Sequence, residues 1–189
     1  MTTRIDSGPF ALGGAAASRA ERCAEAPGLA QIYTEHFDFV WRCLRRLGVP
    51  ELALDDAAHD TFVIAHRLLP GFEGRSSVRT WLFSILRKVA RDHRRAAQRL
   101  ASGAPIDTLE SRLPSPEESA EDREAARLLS EVLDRLTDEK REAFVLVELE
   151  GLSVVEAAEA TSTNVNTMHA RLRAARRELE AALSEGGAR

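Results

Sequence analysis

Four arginines and no acid stand between Asn164 and Arg177. Projected at about 100° per residue, Met168, Leu172, Ala175, Leu179 and Leu183 fall on one side of a helix. Asn166, His169, Ala170, Arg173 and Arg177 fall on the other, and Arg171 and Arg176 flank the apolar stripe. Asn164 has the form of an N-cap, and with Thr167 it completes the candidate DNA-facing set. Small or hydrogen-bonding tips suit base edges, and guanidiniums beside them suit phosphates. A short helix, Ser153 to Ala160, precedes this one across the polar turn Thr161 to Thr163. Ser153-Val154-Val155-Glu156 has the form of a capping box. Two helices joined in this way match a helix-turn-helix that binds duplex DNA. The competing reading is the solvated face of a surface helix.

A second cationic stretch runs from Arg75 to Arg99, with seven arginines, one lysine and the single acid Asp92. Its apolar stripe is Val78, Trp81, Leu82, Ile85 and Val89, and Arg87, Lys88, Arg91, Arg94 and Arg95 project opposite. A rigid positive strip suits a nucleic-acid backbone. Phe72, Trp81 and Phe83 are candidates to stack on unpaired bases, although Trp81 lies in the stripe and is expected in the core. The competing reading is a solvated strip paired with acids elsewhere in the chain. Asp55, Asp56, His59 and Asp60 form a third cluster. His59 and His66 are two helical turns apart, too far to share one metal ion, so a solvated or protein-docking face is expected. No phosphate loop, nucleophile elbow or His-Glu-x-x-His motif is present. Catalytic residues, metal and cofactors are therefore all expected to be absent.

These surfaces need elements to carry them. Ile32, Phe37, Val40, Trp41, Leu44 and Leu47, before Gly48 and Pro50, predict one amphipathic helix. Ala58, Phe62, Ala65 and Leu69, before Pro70-Gly71, predict a second, and the Val78 stripe predicts a third. Leu128, Leu129, Val132, Leu133 and Leu136, then Phe144, Val145, Val147 and Leu149, predict the helices of another module. No sustained period-two alternation appears, so an all-α fold is expected, with two small helical domains joined by a flexible acidic linker. The expected divisions are a mobile tail over 1–27, domains over 28–101 and 121–184, a linker over 102–120 and a terminal tail over 185–189. Ser102 to Ser119 holds three prolines, and when stretched it reaches about 60 Å, which would let the domains act at separate places. The chain has 189 residues, 44% apolar and 30% charged, with a net charge of −4. That average hides two basic segments and an acidic middle. Without a long apolar run, no membrane insertion is expected. Cys23 and Cys43 cannot build a disulfide framework, so a reducing cytoplasm is the simple expectation.

The order of these pieces resembles the extracytoplasmic-function group of bacterial RNA polymerase sigma factors, from about Leu29 to Leu183. Leu54 to His66 is similar to that family's acidic polymerase-docking helix. Phe72-Glu73-Gly74, Thr80 to Ile85 and Asp92 to Arg95 are similar to its promoter-opening segment. Leu133 to Arg141, Glu156-Ala157-Ala158 and Thr167 to Arg176 are similar to its promoter-reading helix-turn-helix. The resemblance implies a non-enzyme that gives core RNA polymerase its choice of promoter DNA, with an anti-sigma protein as a further partner and no small-molecule substrate. Asp55, Asp56, His59, Asp60, Phe62 and Val63 would dock polymerase. Phe72, Arg75, Ser76, Ser77, Arg79, Trp81, Arg87, Lys88, Arg91, Arg94 and Arg95 would hold the minus-10 element as a single strand, with Phe72 to Ser77 and Lys88 lining a pocket for an unstacked base. The last helix would read the minus-35 element as duplex. His59 and Lys88 depart from the family's usual Gln and Asn. Thr161-Ser162-Thr163 replaces an apolar-Gly-Ile turn, which predicts the loss of a buried anchor. A free-standing helix-turn-helix regulator and a sigma-like decoy for an anti-sigma protein are the rival readings.

Overall fold

The computed structural model describes residues 28–101 and 120–186. The expected N-terminal tail, residues 102–119 of the linker and the side chain of Leu183 lie outside what it describes. Among the described residues every regular element is helical.

Helix α1 spans Leu29–Arg46. It buries Ile32, Phe39, Val40, Cys43 and Leu44, the face its 3.6-residue period dictates. It stops at Gly48, whose φ of +81° is a left-handed conformation that a side chain resists. There the Gly48 N–H donates to Arg45 O at 3.0 Å and the Val49 N–H to Leu44 O at 3.1 Å, satisfying carbonyls the helix end leaves open. Helix α2 spans Leu54–Leu68. Asp55 and Asp56 lie in its first turn and His66 and Arg67 in its last, each charge on the favourable end of the helix dipole. Helix α3 spans Val78–Ala101, and the Ser77 hydroxyl accepts the Thr80 N–H at 3.1 Å at its start.

These three helices enclose one core. Leu44, Leu82, Phe83 and Leu86 are each 0% exposed, and burying a side chain of this size contributes about 1.5–3 kcal/mol. Phe83 therefore cannot stack on a base as the sequence suggested. α3 packs against both α1 and α2, so its apolar face is wider than one stripe and takes in Phe83, Leu86 and Ala90 as well.

The second module comprises α4 (Ala120–Leu133), α5 (Asp138–Phe144), a π-helical turn (Val145–Leu149), α6 (Val154–Ala160) and α7 (Val165–Gly186). Its core joins Leu133, Leu136, Val145, Leu146, Ala157, Met168, Leu172 and Ala175. The π turn is closed by the Glu150 N–H donating to Val145 O at 2.9 Å, one residue further back than an α-helical bond reaches. It ends α5 with the Glu150 side chain turned inward, at 2% exposure.

The sequence led us to expect two domains standing apart, but here they are packed together. α3 lies against α6. Arg141, on α5, is 2% exposed and ties the halves: it donates to Leu133 O at 2.9 Å, to Leu47 O at 3.2 Å and to Asp134 at 2.8 Å. A Cβ on Gly48 would collide with this guanidinium, so Gly48 serves both the turn and the junction. Burial holds the Arg141 pKa below its ordinary value, with Asp134 opposing the shift.

Candidate nucleic-acid interface

The helix-turn-helix is built from its local bonds upward. Ser153 and Glu156 form the full capping box: the Ser153 N–H donates to the Glu156 carboxylate at 2.9 Å, and the Glu156 N–H donates to the Ser153 hydroxyl at 3.2 Å. The side-chain and backbone hydrogen bonds from Ser153 hold the Glu156 carboxyl below its usual range. In the turn, Thr161 is buried and its hydroxyl donates to Ala157 O at 2.8 Å. A threonine methyl and a satisfied hydroxyl thus fill the place for which the sequence predicted a lost apolar anchor. Ser162 has φ of +53°, a strained conformation for a residue with a side chain. Asn164 then caps α7 by accepting the Thr167 N–H at 2.7 Å.

Met168, Leu172, Ala175 and Leu179 face the core. Asn166, His169, Ala170, Arg173 and Arg177 are all exposed, while Thr167 and Arg171 are half-buried. Arg176 is exposed, and its Nε donates to Glu148 at 3.0 Å. Asn164, occupied as a cap, has the most local role of the set. Seven residues of α-helix rise about 10 Å, so Asn166 to Arg173 present a hydrogen-bonding face that spans about three base pairs.

The cationic face of α3 divides in two. Lys88 and Arg95 are exposed and have no acidic partner among the described residues. The other side is covered by the second module. Arg87 donates to both Glu142 oxygens, at 3.1 and 2.7 Å, and Arg91 lies 3.6 Å from the same carboxylate. Arg94 donates to Asp138 at 2.5 Å. Arg79 reaches the Glu150 carboxylate and carbonyl, both at 3.0 Å, and stacks over the Phe39 ring at 4.6 Å. Arg42 and Arg46 of α1 also hold Glu150. The sequence located these arginines correctly on one strip. It did not show that their anionic partners come from a module more than forty residues away. Burial raises the Asp138 carboxyl, but the Arg94 hydrogen bond and the Arg94, Arg141 and Arg91 charges outweigh it, so its pKa lies below the ordinary value.

Before α3, Phe72 is half-buried, its ring centroid 4.7 Å from that of the half-buried Trp81. Ser76 is half-buried, Ser77 is the exposed residue that caps α3, and Arg75 is exposed and pairs with neighbouring Glu73. On α2, Asp55, Asp56, His59 and Asp60 are exposed and Val63 is half-buried. Asp60 meets His93 of α3 at 2.9 Å. Phe62 is only 5% exposed and packs against Tyr33 at 4.7 Å between centroids. The expectation that Phe62 contacts polymerase directly is therefore corrected: it supports the face from beneath. Among the described residues no acid, histidine and cysteine cluster could hold a metal, and no helix is long and apolar enough to cross a membrane.

Two basic helical surfaces, one of them a capped helix-turn-helix, define a protein of the transcription machinery. The chain matches the family models for sigma-70 region 2, over residues 32–100, and sigma-70 region 4, over residues 126–179. It is 33% identical over 171 residues to the RNA polymerase sigma factor NccH of Alcaligenes xylosoxydans xylosoxydans, covering 87% of this chain and 92% of that one. It is 34% identical over 143 residues to the ECF RNA polymerase sigma factor SigC of Mycobacterium tuberculosis, covering 72% of this chain and 73% of that one. Its fold matches that of CnrH, solved in complex with the cytosolic domain of CnrY, with a TM-score of 0.66 and 27% identity over 89% of this chain and 95% of that one. The chain belongs to the extracytoplasmic-function sigma factors of the sigma-70 family. It is an initiation factor and not an enzyme.

Proposed function

We propose that the first module captures the minus-10 element as a single strand and that the second reads the minus-35 element as duplex, both while held on core RNA polymerase. The observation that carries this division is the contrast between the two surfaces. α7 presents side chains of hydrogen-bonding length on a rigid, capped helix, which suits a major groove. The α3 strip, with Phe72 and Trp81 at its entrance, offers backbone-tracking cations beside an aromatic pair, which suits an unstacked strand. Unstacking a base costs a few kcal/mol, and Lys88 and the segment Phe72 to Ser77 are the groups proposed to hold it.

Asp55, Asp56, His59 and Asp60, with Val63 among them, form the proposed polymerase-docking face, and Phe62 fixes its shape. An anti-sigma protein is a further proposed partner, because the similar CnrH is solved with the cytosolic domain of CnrY. A polymerase-bound life places the chain in the cytoplasm. The test is promoter-specific transcription by core polymerase with the purified chain. A start site that depends on the added chain and on intact minus-10 and minus-35 elements supports the reading. Absence of any dependent start site on candidate promoters refutes it. Binding to palindromic DNA as a stable dimer, with no need for polymerase, would favour a free-standing regulator instead.

A further inference from the structure

We infer that the second module carries a phosphate-mimicking face, made by Asp138, Glu142 and Glu150, that occupies the strand-capturing strip of α3 and latches the free protein shut. The inference rests on the reading of that strip given above and concerns its regulation.

The carboxylates sit where a nucleic-acid backbone would need to lie. Glu142 takes both a fork-like pair of bonds from Arg87, at 3.1 and 2.7 Å, and the charge of Arg91 at 3.6 Å. Asp138 takes Arg94 at 2.5 Å. Glu150 takes Arg79 at 3.0 Å and Arg42 at 3.4 Å, together with Arg46. A two-oxygen anion in the fork of a guanidinium is the geometry by which arginine binds phosphate as well as carboxylate. The Glu142 and Glu150 side chains are 5% and 2% exposed, so water cannot replace the arginines that hold them. Arg79, Arg87, Arg91 and Arg94 cannot serve these acids and a DNA strand at once. Lys88 and Arg95 remain free, but they lie outside the covered strip.

Size leads to the same conclusion. Elements named minus-35 and minus-10 lie about 25 base pairs apart, roughly 85 Å along a duplex at about 3.4 Å per pair. A compact chain of this length has a radius of gyration of about 16 Å. The packed form cannot reach both elements, so promoter engagement requires the modules to part, and the arginines become available in the same step. Polymerase, by holding the modules apart, would supply the differential binding that shifts this equilibrium.

The test compares the full wild-type chain with Glu142→Gln/Glu150→Gln, which keeps side-chain size and removes the charge. A control, Glu139→Gln/Glu180→Gln, removes two exposed charges. X-ray scattering of each in solution reads the separation of the modules, and anisotropy of a fluorescein-labelled 12-nucleotide single strand reads the strip. The expected result is a compact wild type and control, an expanded latch variant, and single-strand affinity for the variant at least about tenfold above the control, because the competent fraction rises from a minor one. A wild type that is already expanded overturns the latch. So does a folded latch variant with unchanged scattering and the affinity of the control. Should the double variant not fold by circular dichroism, Glu142→Gln and Glu150→Gln are measured singly, and wild-type compactness in both is equally fatal. Transcription with core polymerase is run in parallel. Its failure in every variant and in wild type would count against the proposed function, while the scattering judges the latch independently.

Discussion

Arg173 and Arg176 lie one turn apart on α7, and the structure gives them different tasks. Arg173 is exposed on the face of Asn166, His169 and Ala170 and has no acidic partner among the described residues. Arg176 is already held by Glu148. A bidentate arginine on guanine discriminates against a wrong base by about 1–3 kcal/mol, or roughly 5- to 150-fold in affinity. Arg173→Ala should therefore weaken the preferred minus-35 duplex by that factor and leave poorer sequences nearly untouched, flattening the preference at one position. Arg176 must release Glu148 to meet a phosphate, and an exposed ion pair is worth only about 0–1 kcal/mol. Arg176→Ala should weaken all duplexes alike, by less than about tenfold, and reduce the slope of log affinity against log salt by about 0.9. Glu148→Gln should do the reverse, strengthening every duplex modestly. The assay is competition of single-base minus-35 variants for the polymerase-bound chain between about 50 and 200 mM salt. Equal weakening of all sequences by Arg173→Ala, together with a loss of salt slope, would refute the assignment of base reading to Arg173. A changed ranking of sequences in Arg176→Ala would refute the phosphate assignment.

Ser162→Gly should stabilise the chain by about 1 kcal/mol, because glycine accepts positive φ without the side-chain penalty; thermal unfolding should shift up by roughly 2–4 °C, and an unchanged or lower midpoint would show that the turn stores no strain. Arg141→Met leaves the Leu47 and Leu133 carbonyls without their donor and should cost about 2–4 kcal/mol, which differential calorimetry would record as a fall of roughly 5–15 °C. The Asp138 pKa is depressed in the folded chain, so its contribution is present above its ordinary value of 3.8 and disappears as pH falls through the lower folded value. Asp138→Asn should therefore flatten the acid limb of stability below about pH 4 and leave its shape near neutrality unchanged. Cys43 is fully buried, and burial followed by the nearby Glu150 charge pushes its thiol pKa up; mass spectrometry after iodoacetamide treatment should find Cys43 unmodified until the chain is unfolded.

The helix-turn-helix was legible because everything that builds it is local. Ser153 and Glu156 are three residues apart, Asn164 and Thr167 likewise, and the Met168 stripe repeats at helical spacing. The first module was legible as three helices for the same reason. Phe83 and Phe62 were misplaced because periodicity identifies a face but not how many neighbours cover it. α3 is packed from two sides and α2 buries an aromatic beneath its acidic surface. The π turn left no mark in composition, since Val145 to Leu149 reads as an ordinary apolar run. Least legible were the pairings of Glu150 with Arg42 and Arg46, which join residues 108 and 104 positions apart. No motif encodes such a meeting, and a surface that reads as uniformly cationic along the chain is partly neutralised in space.

The single extra residue in the wide turn at Val145–Leu149 acts as a phase setting. Excising one residue there would let the ladder relax to ordinary α geometry and rotate the downstream helices by about 100°. Glu150 would then swing away from its three guanidiniums without any of those four side chains having changed. Lineages could loosen or tighten the grip between halves by gaining or losing one codon, leaving both the DNA-facing helix and the cationic strip intact.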